Sequence, residues 1–234
     1  MTLHFQNLED STEISPSSTS IPARSPAAFA RSPGIYRSGL KRVFDTTLIV
    51  IALPIILPLI LILAACVTSD GARPFYTQIR IGRNGRKFRM WKLRTMMPGA
   101  ENYLRDYLAG NPVARAEWNA TQKLKDDPRV TRVGRFLRRS SIDELPQLWN
   151  VLTGSMSLVG PRPMMVDQQA VYHGTSYYNL RPGITGLWQI SDRNEGEFAG
   201  RVKYDDAYDR DVSFRTDMSI LARTVSVVLR CTGY

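Results

Sequence analysis

The chain begins with a polar stretch that shows no hydrophobic period. Residues 1–36 are rich in Ser, Thr and Pro, as in the run SPSSTS at residues 15–20. They offer too little apolar surface to offset the entropy lost on ordering. We therefore predict a disordered tail over residues 1–36. No basic start followed directly by an apolar segment is present, so the tail lacks the pattern of a secretory signal peptide.

A long apolar run follows the tail. Residues 48–67, LIVIALPIILPLILILAACV, comprise twenty positions without a charge, which is about the length that crosses a bilayer core of roughly 30 Å. Pro54 and Pro58 each remove a backbone donor and bend or break a helix. We expect a membrane-inserted segment that is kinked at these two prolines.

Basic residues flank this run on both sides. Lys41 and Arg42 precede it and several arginines follow from Arg73 onward, and positive residues are retained on the cytosolic side of membranes. This distribution fits a re-entrant hairpin, helix-break-helix, with both ends in the cytosol. A proline-kinked helix that spans the bilayer once is an equal alternative. In either case residues 37–70 form the predicted membrane segment with its flanks.

Strand-like and helix-like periods follow in the remaining chain. Residues 74–82 and 86–94 partly alternate around an Arg-Asn-Gly turn and predict a short β-hairpin. Residues 100–122 carry apolar positions at helical intervals on both sides of a Gly-Asn-Pro break and predict two amphipathic helices. Residues 211–231 have a helical apolar recurrence with arginines among it. This last helix lies along the bilayer surface or packs against the domain, and amphipathicity alone does not decide between them.

Together these patterns predict an α+β, mainly helical fold. A length of 234 residues fits one domain with a real core plus extra segments. Residues 71–234 would form that domain, cytosolic and catalytic, with membrane-interface helices and a short β-hairpin.

Composition narrows the choice of partner and of chemistry. A net charge of +10 favours a polyanionic neighbour, namely nucleic acid, a phosphorylated substrate or anionic lipid. The chain has two cysteines, Cys66 and Cys231, and two histidines, His4 and His173. They are too few and too scattered for a disulfide framework, a zinc site or a histidine-dependent triad. Hydrolytic or transfer chemistry must therefore depend on carboxylates.

The acidic pair Asp143 and Glu144 follows an arginine-rich segment that ends near Arg138. Ser141 and Glu144 match a capping box, and Asp143 is an alternative N-cap that puts Pro146 in the first turn. Either register predicts both carboxylates at a helix N-terminus. There the helix dipole and nearby arginines would hold a carboxylate ionised, ready to act as a nucleophile or a magnesium ligand. The same pattern is also typical of ordinary helix capping.

Two later turns combine arginine with proline. In GPRP at residues 160–163 the prolines fix the backbone around Arg162, and a rigidly presented guanidinium suits a phosphate. In LRPGITGLWQ at residues 180–189, Arg181 is combined with proline, glycine and the aromatic Trp188, which predicts a loop that would cradle a phosphate or a base, with an ordinary tight turn as the alternative.

Ordered motifs along the chain resemble one known family. They are KRVFD at 41–45, QIRIG at 78–82, WKLRTM at 91–96, DELPQ at 143–147, GPRP at 160–163 and RPGITG at 181–186. The chain resembles the bacterial sugar transferase family, monotopic phosphoglycosyl transferases of the small exopolysaccharide-initiating type. The resemblance runs from Lys41 to about Gly233. The sequence departs from the family at Leu57, where a serine usually precedes the proline of the helix break.

The resemblance implies a fold and an activity. The fold has a re-entrant membrane helix, interface helices and a cytosolic catalytic domain on the cytoplasmic face of the bacterial inner membrane. The activity moves a sugar 1-phosphate from a UDP-sugar to polyprenyl (undecaprenyl) phosphate with Mg²⁺ and releases UMP, as the first membrane step of exopolysaccharide or glycan synthesis. The expected partners are a UDP-hexose, such as UDP-galactose or UDP-glucose, polyprenyl phosphate and membrane lipids, and a homo-oligomer is compatible with the family.

The resemblance also assigns roles to residues. Asp143 would be the nucleophile that forms a phosphosugar-enzyme intermediate, and Glu144 would assist beside the magnesium, with both as metal ligands. The phosphate- or substrate-binding residues would be Arg138, Arg162, Arg181, Lys92 and Arg94.

Two functions of other classes remain as alternatives. A basic, membrane-tethered nucleic-acid-binding protein would account for the charge and for the arginine run at residues 129–139. No RNA or DNA motif accompanies that run, so no nucleic-acid partner is expected. A non-catalytic membrane scaffold for polysaccharide assembly is the second alternative.

Overall fold

A computed structural model describes residues 34–121, 124–191 and 198–229 of the chain. The predicted disordered tail lies outside the described residues, except for residues 34–36.

The apolar run forms one helix. A π-helical turn, Tyr36–Leu40, leads into α1, Lys41–Val67, which continues through both Pro54 and Pro58 without a non-helical residue. The expected break between two helices is therefore wrong at the level of secondary structure. A proline removes one N–H but keeps a helical φ, so it bends a helix where the flanking turns hold. By length and composition α1 could cross a membrane. The re-entrant course stays a prediction.

The predicted β-hairpin is confirmed. Strands β1, Phe75–Ile81, and β2, Lys87–Leu93, pair in antiparallel fashion. Asn84 has φ 57° and Gly85 has φ 73°, the two left-handed residues that a type I′ turn requires.

The pairing register of the hairpin sets which side chains share a face. Arg80 lies opposite Phe88, and Tyr76 lies opposite Lys92. Since side chains alternate along each strand, Arg80 and Lys92 project from the same face of the hairpin.

Short helices form most of the rest of the domain. They are α2 (Ala100–Gly110), α3 (Pro112–Thr121), α4 (Arg132–Ser140), α5 (Gln147–Leu152), α6 (Ser176–Asn179), α7 (Leu187–Ser191), α8 (Arg201–Arg210) and α9 (Phe214–Leu229). The predictions of two helices within 100–122 and of a C-terminal helix are confirmed. In α9, Ile220 is buried in the domain whereas Phe214 is exposed, so this helix packs on the domain and still presents an apolar side.

Both ends of α1 pack against this domain. Ile49 shares a buried cluster with Met90, and Val67 shares another with Leu93. The middle of the helix is different, since Ile55 is 77% exposed. The domain therefore covers α1 near its two ends and leaves the apolar middle of the helix exposed.

Two arginines tie the ends of α1 to the domain. Arg42 donates hydrogen bonds to the carbonyl oxygens of Val151 and Leu152. At the other end, a guanidinium nitrogen of Arg94 lies 2.9 Å from the carbonyl oxygen of Val67. These bonds satisfy main-chain acceptors at the C-terminal ends of α1 and α5.

A second, parallel pair of strands brings the two Arg-Pro turns together. Strand β3, Ser157–Val159, pairs with β4, Gly183–Thr185. Gly160 and Gly186 pass so closely that a Cβ on Gly186 would lie 2.0 Å from the carbonyl oxygen of Gly160. Only glycine fits this crossing, which sets the GPRP turn beside the start of α7.

Candidate active site

The acidic pair lies in a short turn between two helices. Helix α4 ends at Ser140, and Ser141 adopts a left-handed conformation with φ 57°. The chain then makes one 3-10 turn, Ile142–Glu144, before α5 begins at Gln147. The left-handed residue reverses the chain so that the acidic turn folds back toward β2.

The predicted helix start at the acidic pair is wrong. Ser141 makes no side-chain capping bond to the turn, and Pro146 occupies the N-cap position of α5. Proline has no N–H to donate to the carbonyl of Ile142, so the α-helical ladder starts only after it. The carboxylates therefore precede the helix N-terminus instead of lying within its first turn.

Lys92 contacts both carboxylates from the end of β2. Its Nζ lies 2.7 Å from Oε1 of Glu144 and 3.7 Å from Oδ2 of Asp143. One ammonium thus bridges the acidic pair, as charge-assisted contacts do at short range.

The electrostatic environment of Asp143 combines opposing effects. The residue is 7% exposed, and this burial raises the pKa of its carboxyl group, while the charges of Lys92 and Arg138 lower that pKa and Glu144 raises it. Burial outweighs the cations, so the pKa of Asp143 lies above its usual range. Lys92 and Arg138 favour the ionised form of Asp143 as expected, but they do not keep the pKa of its carboxyl group at or below the usual value.

Arg138 is held beside this pair by the end of the hairpin. Its Nε donates to Oγ1 of Thr95 over 2.9 Å. Helix α4 comes very close here, because a Cβ on Gly134 would lie 2.0 Å from the carbonyl oxygen of Thr95. Burial lowers the pKa of Arg138 and the nearby Asp143 opposes that change. The close approach of α4 therefore places the guanidinium within electrostatic reach of Asp143.

A small cleft, which is open to solvent and has a cavity volume of about 20 Å³, lies next to Glu144. Its lining combines cations, amides, one carboxylate and apolar side chains: Arg80, Met90, Lys92, Glu144, Gln147, Arg162, Pro163, Ile184 and Gln189. Three of the nine are cationic and one is acidic, so the cleft suits a polyanionic ligand.

Arg162 reaches the cleft from the GPRP turn. Its guanidinium lies 5.7 Å from the centre of the Trp188 ring, and Arg201 covers the same ring at 5.2 Å. Arg201 also donates a 2.5 Å hydrogen bond to the carbonyl oxygen of Arg162. Cation–π contacts and this hydrogen bond hold the turn, and the rigid presentation of Arg162 stays a prediction.

Comparison with known proteins identifies the family. The model of the bacterial sugar transferase family matches residues 36–231. The chain belongs to this family.

Several curated relatives in the bacterial sugar transferase family are similar over most of this chain. Over 83% of its length the chain is 45% identical to a UDP-galactose-lipid carrier transferase of Erwinia amylovora and 46% identical to an undecaprenyl-phosphate galactose phosphotransferase of Salmonella typhimurium. Over 82% of its length it is 44% identical to the exopolysaccharide production protein ExoY of Sinorhizobium fredii. It spans 41% of each of the first two relatives and 87% of ExoY.

Two predicted site residues, Arg94 and Arg181, lie outside the lining of the cleft. Arg94 directs its guanidinium to main-chain carbonyl oxygens, among them those of Arg73 and Met96. Arg181 donates from Nε to the carbonyl oxygen of Gly154 over 2.9 Å. Neither lines the cleft described above. Their binding roles stay predictions, and the structure gives both arginines a structural use.

Three of the polar or charged cleft residues were not among the predicted site residues: Arg80, Gln147 and Gln189. Arg80 could have been found from the hairpin alternation, because the register sets it on the face of Lys92. Gln147 closes the DELPQ motif and Gln189 closes the predicted loop at residues 180–189, but no pattern within either segment singles out the glutamine as a site residue.

Asp143 and Glu144 form a donor set that fits Mg²⁺ in one particular way. Mg²⁺ commonly binds through one or two carboxylates, with substrate phosphates and water completing its octahedron. Within residues 34–121, 124–191 and 198–229, no group of three or more His, Cys, Asp or Glu side chains could hold a metal. Asp143 and Glu144 supply the number of carboxylates that Mg²⁺ commonly binds, and magnesium binding here stays a prediction.

Proposed function

We propose that this protein transfers a hexose 1-phosphate from a UDP-hexose to polyprenyl phosphate and releases UMP, as the first membrane step of exopolysaccharide synthesis. The observation that carries the proposal is the buried Asp143 beside Lys92, next to a cationic cleft, in a chain of this family. The relatives named for galactose transfer make UDP-galactose the first donor to test, with UDP-glucose second.

In the first step an Oδ atom of Asp143 attacks the phosphorus that carries the hexose. An oxygen–phosphorus bond forms, the bond between the two phosphates breaks, and its electron pair leaves with UMP. The product on the enzyme is an acyl phosphate that bears the hexose. Asp143 reacts as a carboxylate, and the nearby Lys92 and Arg138 favour that form.

In the second step a phosphate oxygen of the lipid attacks the same phosphorus. The bond to Asp143 breaks and returns the carboxylate, and the product is a hexose joined to the lipid through a diphosphate. The two displacements at one phosphorus use Asp143 as the first nucleophile and the lipid phosphate as the second.

The cations of the site would stabilise the charge that builds on the phosphoryl oxygens. Arg162 lines the cleft, and Lys92 lines it as well while contacting both carboxylates. Preorganised donors of this kind usually make the largest electrostatic contribution to catalysis. Asp143 and Glu144 would hold Mg²⁺, which when bound neutralises phosphate charge and orients the diphosphate.

The packing of α1 supports a site at the cytoplasmic surface of the bacterial inner membrane. Straight helix from Ile49 to Val67 would extend about 27 Å. Ile49 shares its buried cluster with Met90, and Val67 shares its cluster with Leu93. Met90 and Leu93 are three residues apart on β2, which corresponds to about 10 Å. Docking of both helix ends on so short a stretch favours a bent, re-entrant α1 whose exposed apolar middle enters the bilayer. A lipid phosphate would then approach the domain from the membrane surface.

The test is UMP release by the purified protein in detergent or nanodiscs, with polyprenyl phosphate, Mg²⁺ and a panel of UDP-sugars. We expect turnover with UDP-galactose or UDP-glucose and a loss of at least about 1,000-fold in Asp143→Asn. Asp106→Asn, an exposed aspartate on α2, is the matched control and should retain activity.

A second readout addresses the covalent step. Without lipid, intact-mass spectrometry of the protein mixed with donor should show an added hexose phosphate that is absent from Asp143→Asn. Normal turnover by Asp143→Asn would contradict the nucleophile assignment. No UMP release with any UDP-sugar would contradict the proposed function.

A further inference from the structure

The side-chain amide of Gln189 is buried and unpaired in the cleft. Gln189 is 8% exposed, it lines the cleft, and neither Nε2 nor Oε1 has a hydrogen-bond partner within the described part of the chain. The great majority of buried polar side-chain atoms in proteins are paired. An amide left unpaired at a binding cleft is a candidate for contact with a ligand.

A second unpaired donor lines the same cleft. The Nε atom of Arg80 is buried without a hydrogen-bond partner among the described residues, although its terminal nitrogens reach Gln78 and the carbonyl oxygen of Pro163. Arg80 comes from β1 and Gln189 from α7. Two separate elements thus bring unpaired N–H groups to one cleft.

The charges around these donors indicate what they would bind. Burial and the nearby Arg162 lower the pKa of Arg80 to about 10. Like charges are costly at short range unless an anion lies close to both. A ligand that presents several acceptor oxygens and negative charge, as a diphosphate does, satisfies the unpaired donors and the two guanidinium groups together.

Other parts of a nucleotide sugar fit less well. A uracil ring favours an aromatic face, but the Trp188 ring is already covered by the guanidinium groups of Arg162 and Arg201. The other apolar lining comes from Met90, Pro163 and Ile184, which are not aromatic. The charges of the cleft likewise favour phosphate over the neutral hexose.

Gln189 lies close to the crossing of Gly160 and Gly186. A Cβ on Gly186 would lie 2.9 Å from Oε1 of Gln189 and 2.0 Å from the carbonyl oxygen of Gly160. The β3–β4 pair and this close crossing leave the amide little room. A donor fixed before the ligand arrives costs little reorganisation during reaction.

We propose that Gln189 and Arg80 donate hydrogen bonds to the non-bridging oxygens of the donor diphosphate, with Gln189 acting as the neutral partner among the cations. This inference rests on the proposed function. It extends the predicted set of phosphate-binding residues to two side chains that contact the substrate directly.

Gln189→Leu is the first test, with the exposed Gln169→Leu as the matched control. We expect kcat/KM to fall about 100-fold, and by the same factor for UDP-galactose and UDP-glucose, because the diphosphate is common to both. The thermal unfolding midpoint should be unchanged or higher, since the substitution removes an unpaired buried amide. A purely structural glutamine would instead lower that midpoint.

Binding measurements without turnover separate the inference from the reaction. By calorimetry, Gln189→Leu and Arg80→Gln should each weaken binding of UDP with Mg²⁺ and leave uridine binding unchanged. Equal weakening of uridine and UDP, or unequal activity losses between the two hexoses, would overturn the diphosphate assignment in favour of base or sugar contact. Unchanged UDP binding and activity would overturn it altogether. Failure of the wild-type protein to release UMP would instead count against the proposed function.

Discussion

Lys92 and Asp143 approach to 3.7 Å between Nζ and Oδ2, which joins the end of β2 to the acidic turn after α4. This contact opposes the burial that raises the pKa of Asp143. The reactivity of the proposed nucleophile therefore depends on a side chain from a different element of the fold.

Substitution of Lys92 by methionine tests this dependence. The loss of its charge raises the pKa of Asp143 further, so the acidic limb of the kcat/KM profile should move to higher pH and the maximal rate should fall. The measurement is UMP release against pH. Lys87→Met, an exposed lysine at the other end of β2, is the control. An acidic limb that does not move would show that Lys92 has no influence on the ionisation of Asp143.

A glycine in α4 provides a test of how Arg138 is positioned. In Gly134→Ala the new Cβ would lie 2.0 Å from the carbonyl oxygen of Thr95, so α4 must shift at a cost of about 1–3 kcal/mol in the free energy of unfolding. Activity should fall as well, because Arg138 moves with the helix. Gly110→Ala, whose new Cβ would have no neighbouring atom within 4 Å, should unfold at or above the wild-type temperature. Equal thermal midpoints for Gly134→Ala and the wild type would contradict the close packing.

Asp205 gives the protein a stability that depends on pH. The residue is 3% exposed, and burial raises the pKa of its carboxyl group to about 6. The folded state then binds more protons than the unfolded state between about pH 4 and 6, so the contribution of Asp205 to stability falls as pH rises through this range, by at most about 3 kcal/mol.

Asp205→Asn should remove that part of the pH dependence. The variant keeps a polar partner for the hydroxyl of Tyr172, which donates to Asp205 over 2.7 Å, but it does not ionise. Thermal unfolding in detergent at pH 4.5 and 7.5 measures the effect. The difference between the thermal midpoints of the variant and the wild type should be larger at pH 7.5 than at pH 4.5, in favour of the variant. The same difference at both pH values would contradict a raised pKa of Asp205.

Local patterns predicted much of the fold for reasons that are themselves local. The Asn84-Gly85 turn needs only two residues that tolerate positive φ, and the two helices within 100–122 follow from their apolar spacing. The start of α5 could not be obtained in this way. The capping-box pattern predicts a helix that starts at the acidic pair, but Pro146 lacks the N–H that this helix would need, so α5 begins after Pro146.

The candidate site was predicted only where a motif carried it. Of the predicted residues, Lys92, Glu144 and Arg162 line one cleft, and Lys92 also contacts Asp143. Gln189 was not predicted, because its burial depends on the close passage of Gly160 and Gly186, a tertiary contact without a local signature. The contacts of Arg94 with main-chain carbonyl oxygens likewise have no local signature in the sequence.

The course of α1 leads to a prediction about topology. Single cysteines at Ser38 and Ser69, both exposed and near opposite ends of the helix, would be introduced with Cys66→Ala and Cys231→Ala. A re-entrant helix puts both cysteines on the cytoplasmic side, so a membrane-impermeant maleimide should label both only after the inner membrane is opened. Retained UMP release shows that the variants are folded. If one position is labelled in intact spheroplasts and the other is not, α1 spans the membrane and the hairpin is wrong.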